Sequence, residues 1–464
     1  MDLFADPACL DATPPRALLS DLYEAAVGGA APAPLTTAAL ASFEAPPEQR
    51  LWLFAVGKGA QAMGAAAVAS LQRSLHTIAG GVIVAPVAAS SPYTTIAALA
   101  GDHPLPGRHS FTAAERIGAT ARGMRSADVA IVLVSGGASS LIAAPLRGMA
   151  ESDLGQLFEL LMLSGLDVRQ MNAVRKRFTR WGAGRLALAL APARSHVLVI
   201  SDVHGDDPAD VGSGPCAPDA HSVHEVIDLM KRAGIHARVA PAIRDYLTGV
   251  ARGVIPETPR RTHPAFAHVT TRVIGSNRLA LDAVLARAAT LGLPLERVAA
   301  PLAGEAARAG QAIATMLVER ARSGASGVVV WGGETTVELA RGVPAFTGRR
   351  SETRLDTGVA GIPPTGGRCQ ELALAAARVL GDAGEAGGRV TLLAAGTDGR
   401  DGPTDASGAF ADAHVWRAVA ERGRDPELAL ARHESHAALD AAGALFRRGL
   451  TGTNVMDVVI GLVQ

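Results

Sequence analysis

Four turns in this chain combine glycine with hydroxyl and acidic side chains, and each follows an apolar run typical of a buried strand. Glycine lets backbone N–H groups approach a phosphate closely, and hydroxyl and carboxylate oxygens can hold Mg²⁺ and its waters. In open α/β sheets, ligands bind beyond the carboxyl ends of the strands. The pattern therefore predicts a phosphate-handling cleft built from residues 135–140, 201–207, 332–336 and 396–402.

Lys58 stands between Gly57 and Gly59, where a predicted strand at residues 51–56 gives way to a helix. The spacing resembles the start of a dinucleotide fingerprint, but the next strand ends without an acid to hold the ribose. A P-loop would need Ser or Thr directly after the lysine. We therefore expect Lys58 to contact an anion at a helix N-terminus. The alternative is a surface lysine in a tight turn.

The strongest local phosphate signal is a run of small residues whose N–H groups can form an anion-binding nest, to which the hydroxyls add donors. A hydrolase elbow would need a glycine where Leu141 stands, so serine nucleophile chemistry is disfavoured. The alternative is a structural turn that ends a strand. The run consists of Ser135, Gly136, Gly137, Ala138, Ser139 and Ser140.

Asn172, Arg175 and Lys176 share one face of a helix predicted over residues 172–190. An amide and two cations on one face could grip a small carboxylate or phosphate. The alternative, which the segment taken alone favours, is a solvated basic face.

Acidic residues recur at the predicted strand ends. Asp202 follows a strand directly and shares its loop with Asp206 and Asp207. Carboxylates that repel one another cluster to bind a cation or to share protons, although Asp207 before a proline is also a plausible helix N-cap. Glu334 and Asp398 repeat the combination of acid and hydroxyl.

Arg368 lies near the N-terminus of a predicted helix, where the helix dipole disfavours a cation, so we expect an anion or a carboxylate opposite it. Ser276 and Asn277 open another helix, where we expect capping rather than ligand contact. The histidines, including His103 and His204, form no metal-binding spacing and are interpreted as incidental.

The elements that must position these residues alternate between strand-like and helix-like segments, which predicts βαβ units and a mostly parallel sheet. Strands are expected at residues 51–56, 81–87, 130–134, 197–200, 269–274, 328–331 and 390–395. Proline and glycine interrupt residues 245–268, so we place two domains at residues 1–245 and 246–464. The irregular segment 341–368 predicts a functional loop or extra edge strands.

Composition excludes several classes of function. The chain has 464 residues with 44 basic and 44 acidic side chains, so it offers no overall attraction to nucleic acid or membrane. Its three cysteines, Cys9, Cys216 and Cys369, indicate neither a disulfide framework nor a zinc site. We expect no signal peptide, because residues 1–16 have no basic segment before an apolar stretch, and no membrane span, because no apolar stretch is long enough. We expect a cytoplasmic protein.

Together these motifs resemble the glycerate 2-kinase family, which has an N-terminal glycerate-kinase domain and a C-terminal leucine-rich domain of the MOFRL type. The similarity covers nearly the whole chain, and the order and completeness of the motifs make it specific. They lie at residues 56–60, 134–141, 172–176, 201–208, 212–215, 275–277, 332–336, 367–371, 396–399 and 451–454. His204, Cys369 and Leu450 depart from the residues expected there, and Cys369 matters most because it adjoins Arg368.

The resemblance implies two α/β/α domains, the first Rossmann-like, with the active site in the cleft between them. It also implies phosphorylation of D-glycerate on its 2-hydroxyl, with ATP as donor and Mg²⁺ as cofactor, and catalytic roles for the residues at Lys58 and Arg368. These two would stabilise charge on the transferring group.

Other roles are hypotheses from the mechanism of phosphoryl transfer. We expect Asn172, Arg175 or Lys176, with Lys58 and Arg368, to bind the substrate, Asp202 or Glu334 to act as the base, and Asp202 or Asp398 to hold Mg²⁺. The nucleotide would contact Ser135, Gly136, Gly137, Ala138, Ser139, Gly212, Ser213, Gly214 and Asn277.

Two rival functions stay open from the sequence. An NAD(P)-dependent hydroxypyruvate reductase would explain the Gly-x-Gly pattern, although the missing ribose acid argues against it. A non-catalytic sensor of nucleotides or sugar phosphates would bind without turnover. Either way the partners are small molecules, and a homodimer is compatible with the sequence.

Overall fold

The structure is a computed structural model that describes residues 14–46, 48–88, 90–337 and 365–464, with Val168 described by its backbone only. Most of the segment 341–368, for which the sequence predicts a functional loop or edge strands, lies outside the described residues.

The described chain divides into two compact units. The first unit is residues 32–275, and the second combines residues 14–31 with the described part of 276–464. The domain boundary predicted between residues 245 and 246 falls inside the helix Pro241–Ala251. The chain stays in the first unit beyond this helix because the strand Val269–Gly275 still pairs in the sheet of that unit.

Six parallel strands form the central sheet of the first unit: β1 (Leu51–Val56), β2 (Ile78–Ala85), β3 (Ile96–Ala100), β4 (Val129–Val134), β5 (Arg194–Ile200) and β6 (Val269–Gly275). Their order is β3-β2-β1-β4-β5-β6. β1 and β4 are apolar throughout and fully buried, as expected for strands covered on both faces. The predicted Rossmann-like parallel sheet is confirmed.

The strand order reverses between β1 and β4. In a doubly wound sheet, the crevice beyond the carboxyl ends of the strands at such a switch point is the usual ligand site. The turns that follow Val56 and Val134 therefore meet where this topology binds ligands.

The helix predicted over residues 172–190 is wrong as a continuous element. The chain instead forms the helix Val168–Arg175, a 3₁₀ turn at Lys176–Phe178 and the helix Arg185–Leu190. Ala183 and Gly184 separate the pieces with φ angles of 53° and 77°, which a right-handed helix does not accept. The other described helices of the unit are Pro32–Leu40, Ala60–Arg73, Arg108–Arg122, Ala138–Leu141, Glu151–Met162, Val223–Arg232 and Pro241–Ala251.

The second unit contains a mixed sheet of β7 (Leu295–Arg297), β8 (Gly327–Gly333), β9 (Val390–Gly396), β10 (Gly408–Asp412), β11 (Leu445–Phe446) and β12 (Asp457–Val463). The order is β11-β10-β9-β12-β8-β7. β12 lies between β8 and β9 and is antiparallel to both. The first residue of β12 therefore lies at the edge where β8 and β9 end.

The helix Pro15–Gly29 belongs to the second unit although it opens the described chain. The hydroxyl of Tyr23 in this helix donates to the Gly396 carbonyl at 2.7 Å, and Thr453 Oγ1 donates to the Ala30 carbonyl at 2.6 Å. The other described helices of the unit are Asn277–Thr290, Ala306–Arg322, Arg368–Asp382, Glu385–Gly388, Val415–Glu421, Pro426–Ala431 and Ser435–Ala441. Within the described ranges, no helix is both long and apolar enough to span a bilayer.

Candidate active site

In the first unit, the Lys58 turn (residues 57–59) and the Ser135 loop (residues 135–140) lie side by side at the switch point. The Lys58 N–H donates to the Gly136 carbonyl at 2.8 Å, and the Gly59 N–H donates to Ser135 Oγ at 3.0 Å. Gly57 has a φ of 124°, and a Cβ there would lie 2.3 Å from Ser135 Oγ. Only glycine permits this approach, which fixes the lysine next to the loop.

Lys58 and His103 both approach Gly137. A Cβ built at Gly137 would lie 3.2 Å from Lys58 Cγ and 3.3 Å from His103 Nε2. His103 comes shortly after β3, a strand that the sequence did not predict, so the interpretation of His103 as incidental missed its position. The short apolar run at residues 96–100, which forms β3, was the available signal.

A cavity of about 180 Å³ opens beside the Ser135 loop. Its polar wall contains His103, Ser139, Ser140 and the guanidinium-bearing side chain of Arg175, whereas Phe158 is among its apolar residues. The Arg175 guanidinium lies 5.9 Å from the centre of the Phe158 ring. A cation, hydroxyls and an apolar wall in so small a space suit a compact organic anion.

Among the described residues that line the cavity, Arg175 is the one arginine or lysine. Burial lowers the pKa of Arg175 to about 10, against the opposing charge of Asp202, so the side chain stays charged at neutral pH. Its Nε atom is buried and has no hydrogen-bond partner among the described residues. A buried donor of this kind costs free energy until a ligand or water accepts from it.

Asp202 reaches the same place from the end of β5. A Cβ at Gly136 would lie 1.9 Å from Asp202 Oδ2, so the carboxylate packs directly on the Ser135 loop. Asp207 has a different position, because its Oδ1 accepts from the Ala209 N–H at 2.9 Å and so stabilises its own loop. Asp202 is therefore the carboxylate of this loop that the structure brings to the switch point.

Residues 212–214 support the Ser135 loop from the other side. Gly212, Ser213 and Gly214 have successive φ angles of 57°, 68° and 57°. Ser213 Oγ donates to Ser139 Oγ at 2.7 Å, and a Cβ at Gly212 would lie 2.7 Å from that of Ala138. This left-handed segment holds the serine hydroxyls in place.

Asn172 and Lys176 are not among the residues that line the cavity. The Asn172 side-chain amide donates to the Asp210 carbonyl at 3.1 Å. Lys176, only 1% exposed, places its ammonium 3.1 Å from Asp219. The predicted binding face therefore reduces to Arg175, because the helix ends there and the following turn directs Lys176 into a buried ion pair.

The second unit presents Arg368 at the first position of the helix Arg368–Asp382. Its Nε and Nη2 atoms donate to the Asp457 carboxylate at 2.5 and 2.9 Å, and Nη1 lies 2.7 Å from Glu334. Burial alone would lower the pKa of Arg368, but these two carboxylates raise it. The sequence predicted an anion or a carboxylate opposite Arg368, and the structure places two carboxylates there, those of Asp457 and Glu334.

Asp457 is the residue of this group that the sequence analysis missed. It opens β12 and pairs in register with Gly333 and Gly396, the last residues of β8 and β9. An apolar run beginning Val-Val-Ile directly after an acid was the available signal. That signal implied a site only if the strand ran antiparallel to its neighbours.

Asp401 caps the helix that carries Arg368. Its carboxylate accepts from the N–H groups of Cys369 and Gln370 at 3.1 and 2.8 Å. A Cβ at Gly367 would lie 2.1 Å from Asp401 Cγ, so glycine makes room for this cap. Burial, and next the charge of Asp457, raise the pKa of Asp401 to about 6.

Asn277 and Asp398 also lie in the second unit. Asn277 Nδ2 donates to the carbonyls of Val455 and Asp457 at 2.8 and 2.9 Å, so this side chain holds the start of β12. Ser276 caps the helix Asn277–Thr290, as predicted. Asp398 Oδ1 and Asp457 Oδ1 would lie 3.3 and 3.4 Å from a Cβ at Gly396, which places both carboxylates at one edge of the sheet.

Comparison with known proteins gives two matching family models. The model described as a domain of unknown function, DUF4147, matches residues 18–248, and the MOFRL family model matches residues 327–457.

Among characterised sequences, the D-glycerate 2-kinase of Thermotoga maritima is 32% identical over 419 residues, covering 89% of this chain and 91% of that protein. A protein of Agrobacterium vitis that is provisionally named a hydroxypyruvate reductase is 32% identical over 450 residues, covering 96% of this chain and 93% of that protein. The crystal structure of the Thermotoga maritima glycerate kinase superposes with a TM-score of 0.79 at 30% identity, covering 97% of this chain and 99% of that one.

Proposed function

The chain belongs to the glycerate 2-kinase family, and we propose that it transfers the γ-phosphoryl group of ATP to the 2-hydroxyl group of D-glycerate. The observation that carries the proposal is the convergence of Lys58, the Ser135 loop and the Arg175 cavity at the switch point of the first sheet. Phosphoryl transfer requires positioning and positive charge more than covalent chemistry from the protein, and these residues offer both.

The Arg175 cavity is proposed as the glycerate site. Its volume of about 180 Å³ is sufficient for a three-carbon acid. The Arg175 guanidinium would bind the substrate carboxylate, and the hydroxyl of Ser139 or Ser140 would donate a hydrogen bond to a substrate hydroxyl or accept one from it. The buried, unpartnered Arg175 Nε supports this role, since a bound carboxylate would satisfy it.

Lys58 and the Ser135 loop are proposed to bind phosphate. The lysine precedes the helix Ala60–Arg73, so the helix dipole adds to its positive charge. Residues 212–214 support the same loop, and Asn277 has a structural role in the second unit. Arg368, with its charge secured by two carboxylates, is proposed to stabilise charge on the transferring group.

In the reaction, the 2-hydroxyl oxygen attacks the γ-phosphorus, the bond to the bridging oxygen breaks and ADP leaves. The hydroxyl proton must go to a base, and we propose Asp202 because its carboxylate lies on the Ser135 loop and interacts with Arg175. Glu334 is the weaker candidate, because its carboxylate already pairs with the Arg368 guanidinium at 2.7 Å.

Mg²⁺ fits the residues present without a dedicated cage. No set of three or more His, Cys, Asp or Glu side chains in the described ranges could hold a metal, but Mg²⁺ in kinases is held by one or two carboxylates together with phosphate oxygens. Asp202 and Asp398 are carboxylates of this kind at strand ends. When bound, the ion would neutralise phosphate charge.

The cytoplasmic location and the homodimer remain predictions from the sequence.

The rival activity is the reduction of hydroxypyruvate, which the name of the Agrobacterium vitis relative suggests. β2 ends at Ala85 and is followed by Pro86 and Val87, so the position of the ribose-binding acid has no carboxylate. Oxidation of NADH with hydroxypyruvate in the absence of ATP would support the reductase, and its absence alongside ATP-dependent turnover would exclude it.

Phosphorus NMR of the purified full chain with ATP, Mg²⁺ and D-glycerate tests the proposal. We expect 2-phosphoglycerate, and either 3-phosphoglycerate or no phosphorylated acid would overturn it. Lys58→Ala and Arg368→Ala should each lower turnover by about 10²- to 10³-fold, the typical loss of one transition-state charge contact. The surface variants Lys231→Ala and Arg447→Ala serve as matched controls. Turnover of K58A or R368A within a few-fold of the parent would refute the role of that residue.

A further inference from the structure

Arg368 is held more firmly on one side than on the other. The Asp457 side chain is 1% exposed and accepts from both Nε and Nη2, whereas the Glu334 side chain is 36% exposed and faces Nη1. A bidentate, buried pair fixes the plane of a guanidinium, and an exposed ion pair contributes little. The Nη1 edge is therefore the edge that a substrate anion can approach.

Asp457 is itself held in place by the fold. Its backbone is paired on both sides in the centre of the sheet, with Gly333 and with Gly396. Its carbonyl accepts from the Asn277 amide at 2.9 Å. The buried Cys369 thiol lies close enough to the Asp457 carboxylate that burial, and next the charge of Asp457, raise the pKa of the thiol. The carboxylate thus has a rigid support that the long side chain of Arg368 lacks.

Resting on the proposed phosphoryl transfer, we propose that Asp457 is the positioning residue that orients Arg368 for the transferring group. The carboxylate contacts no reacting atom. It accepts hydrogen bonds from Nε and Nη2 and so fixes the orientation of the guanidinium. The Nη1 edge then faces the negative charge that develops on the transferring phosphoryl group. Glu334 accepts from that edge until substrate arrives.

Asp457→Asn keeps the size of the side chain and removes its charge. We expect kcat to fall by about 10²-fold, the typical effect of displacing a catalytic group by about 1 Å. The KM for ATP should stay the same or decrease, because an arginine without its counter-ion attracts phosphate more strongly. Loss of structure in the site would raise KM as well, so the separation of kcat from KM distinguishes positioning from damage.

Rescue by free guanidinium gives a second, independent test. Millimolar guanidinium should restore part of the activity of Arg368→Ala, because Asp457 still offers its bidentate site. It should restore none in the double variant R368A/D457N. Arg447→Ala is the matched control, since Arg447 is also held by two carboxylates, Asp405 and Asp440, but on the exposed surface. Guanidinium should leave R447A unchanged.

Equal rescue of R368A and R368A/D457N, or an unchanged kcat in D457N, would overturn the positioning role. A parent protein that phosphorylates no glycerate would instead overturn the proposed function. In that case nitrogen-15 NMR of the Arg368 Nε–H decides the inference. The signal should be protected from exchange in the parent and lose its protection in D457N, and retained protection would refute the pairing.

Discussion

Replacing Gly136 with alanine tests whether the position of the Asp202 carboxylate controls turnover. The new Cβ would lie 1.9 Å from Asp202 Oδ2, and ordinary contact begins at 3.4 Å, so the oxygen must move by about 1.5 Å. The backbone of Gly136 lies outside the left-handed region, so alanine brings no strain of its own. The change acts through one side chain.

Two effects are expected. The Oδ2 and Cγ atoms of Asp202 would lie 1.9 and 2.4 Å from the new Cβ, so the whole carboxyl group must shift and the free energy of unfolding should fall by about 1–3 kcal/mol, the usual cost of overpacking. A displacement of more than 1 Å at a reacting group lowers turnover by about 10²-fold. Whether Asp202 accepts the proton or holds the metal ion, kcat should fall while the fold survives.

A coupled assay for ADP gives kcat and KM, and urea denaturation gives the stability. Gly155→Ala is the matched control, because nothing lies within 4 Å of its Cβ and it occupies a helix in the same unit. In an Asp202→Ala background, G136A should cost no further activity. Turnover of G136A within a few-fold of the parent, or an equal loss in both backgrounds, would refute the reasoning.

Two further predictions follow from buried cations of the first unit. Arg175→Ala should raise the KM for D-glycerate by about 10- to 100-fold, the value of one charged hydrogen-bonded contact, and leave the KM for ATP nearly unchanged. The exposed neighbour variant Arg169→Ala is the control, and equal shifts in both KM values would contradict the assignment of the cavity. Glu257 pairs with the fully buried Arg177. Burial would raise its pKa, but the hydrogen bond from Arg177 and those from two backbone N–H groups hold it at about 2. A lowered carboxyl pKa stabilises the fold above pH 4.5 and loses that effect as the pH falls toward 2. Urea denaturation of Glu257→Gln should therefore show a loss of about 1–3 kcal/mol at pH 7 that shrinks by pH 3, and a constant difference across this range would contradict the assignment.

The sequence predicted the first sheet well because parallel βαβ units leave a local signature. The buried strands β1 and β4 are continuous apolar runs, and a turn that contains glycine and a helix follow each of them. The second sheet was predicted only in part. β12 was missed because its pairing joins residues 457–463 to partners more than 60 positions earlier, and no local pattern records that distance or its antiparallel direction.

The same limit explains which site residues were found. Lys58, Ser135 and Asp202 follow predicted strands of one parallel sheet, so a shared edge could be expected for them. His103 follows β3, and Asp457 opens β12, and neither strand was predicted. A residue at the start of an antiparallel strand reaches the active edge as surely as one at the end of a parallel strand, but only the topology reveals it.

The run Arg175, Lys176, Arg177 shows what type and spacing leave undetermined. By residue type alone, each of these three adjacent cations could bind an anion, and helical spacing placed both Arg175 and Lys176 on the predicted binding face. The structure separates them through acids far along the chain: Asp219 lies 3.1 Å from Lys176, and Glu257 lies 2.6 Å from Arg177. A buried cation must be paired. Because Asp219 and Glu257 supply these partners, Lys176 and Arg177 can be buried in the interior. The buried Nε atoms of Arg175 and Arg177 both lack a hydrogen-bond partner among the described residues, but only Arg175 of the three lines the cavity beside the Ser135 loop. Its position on the cavity wall therefore makes Arg175 the residue that a substrate carboxylate would complete.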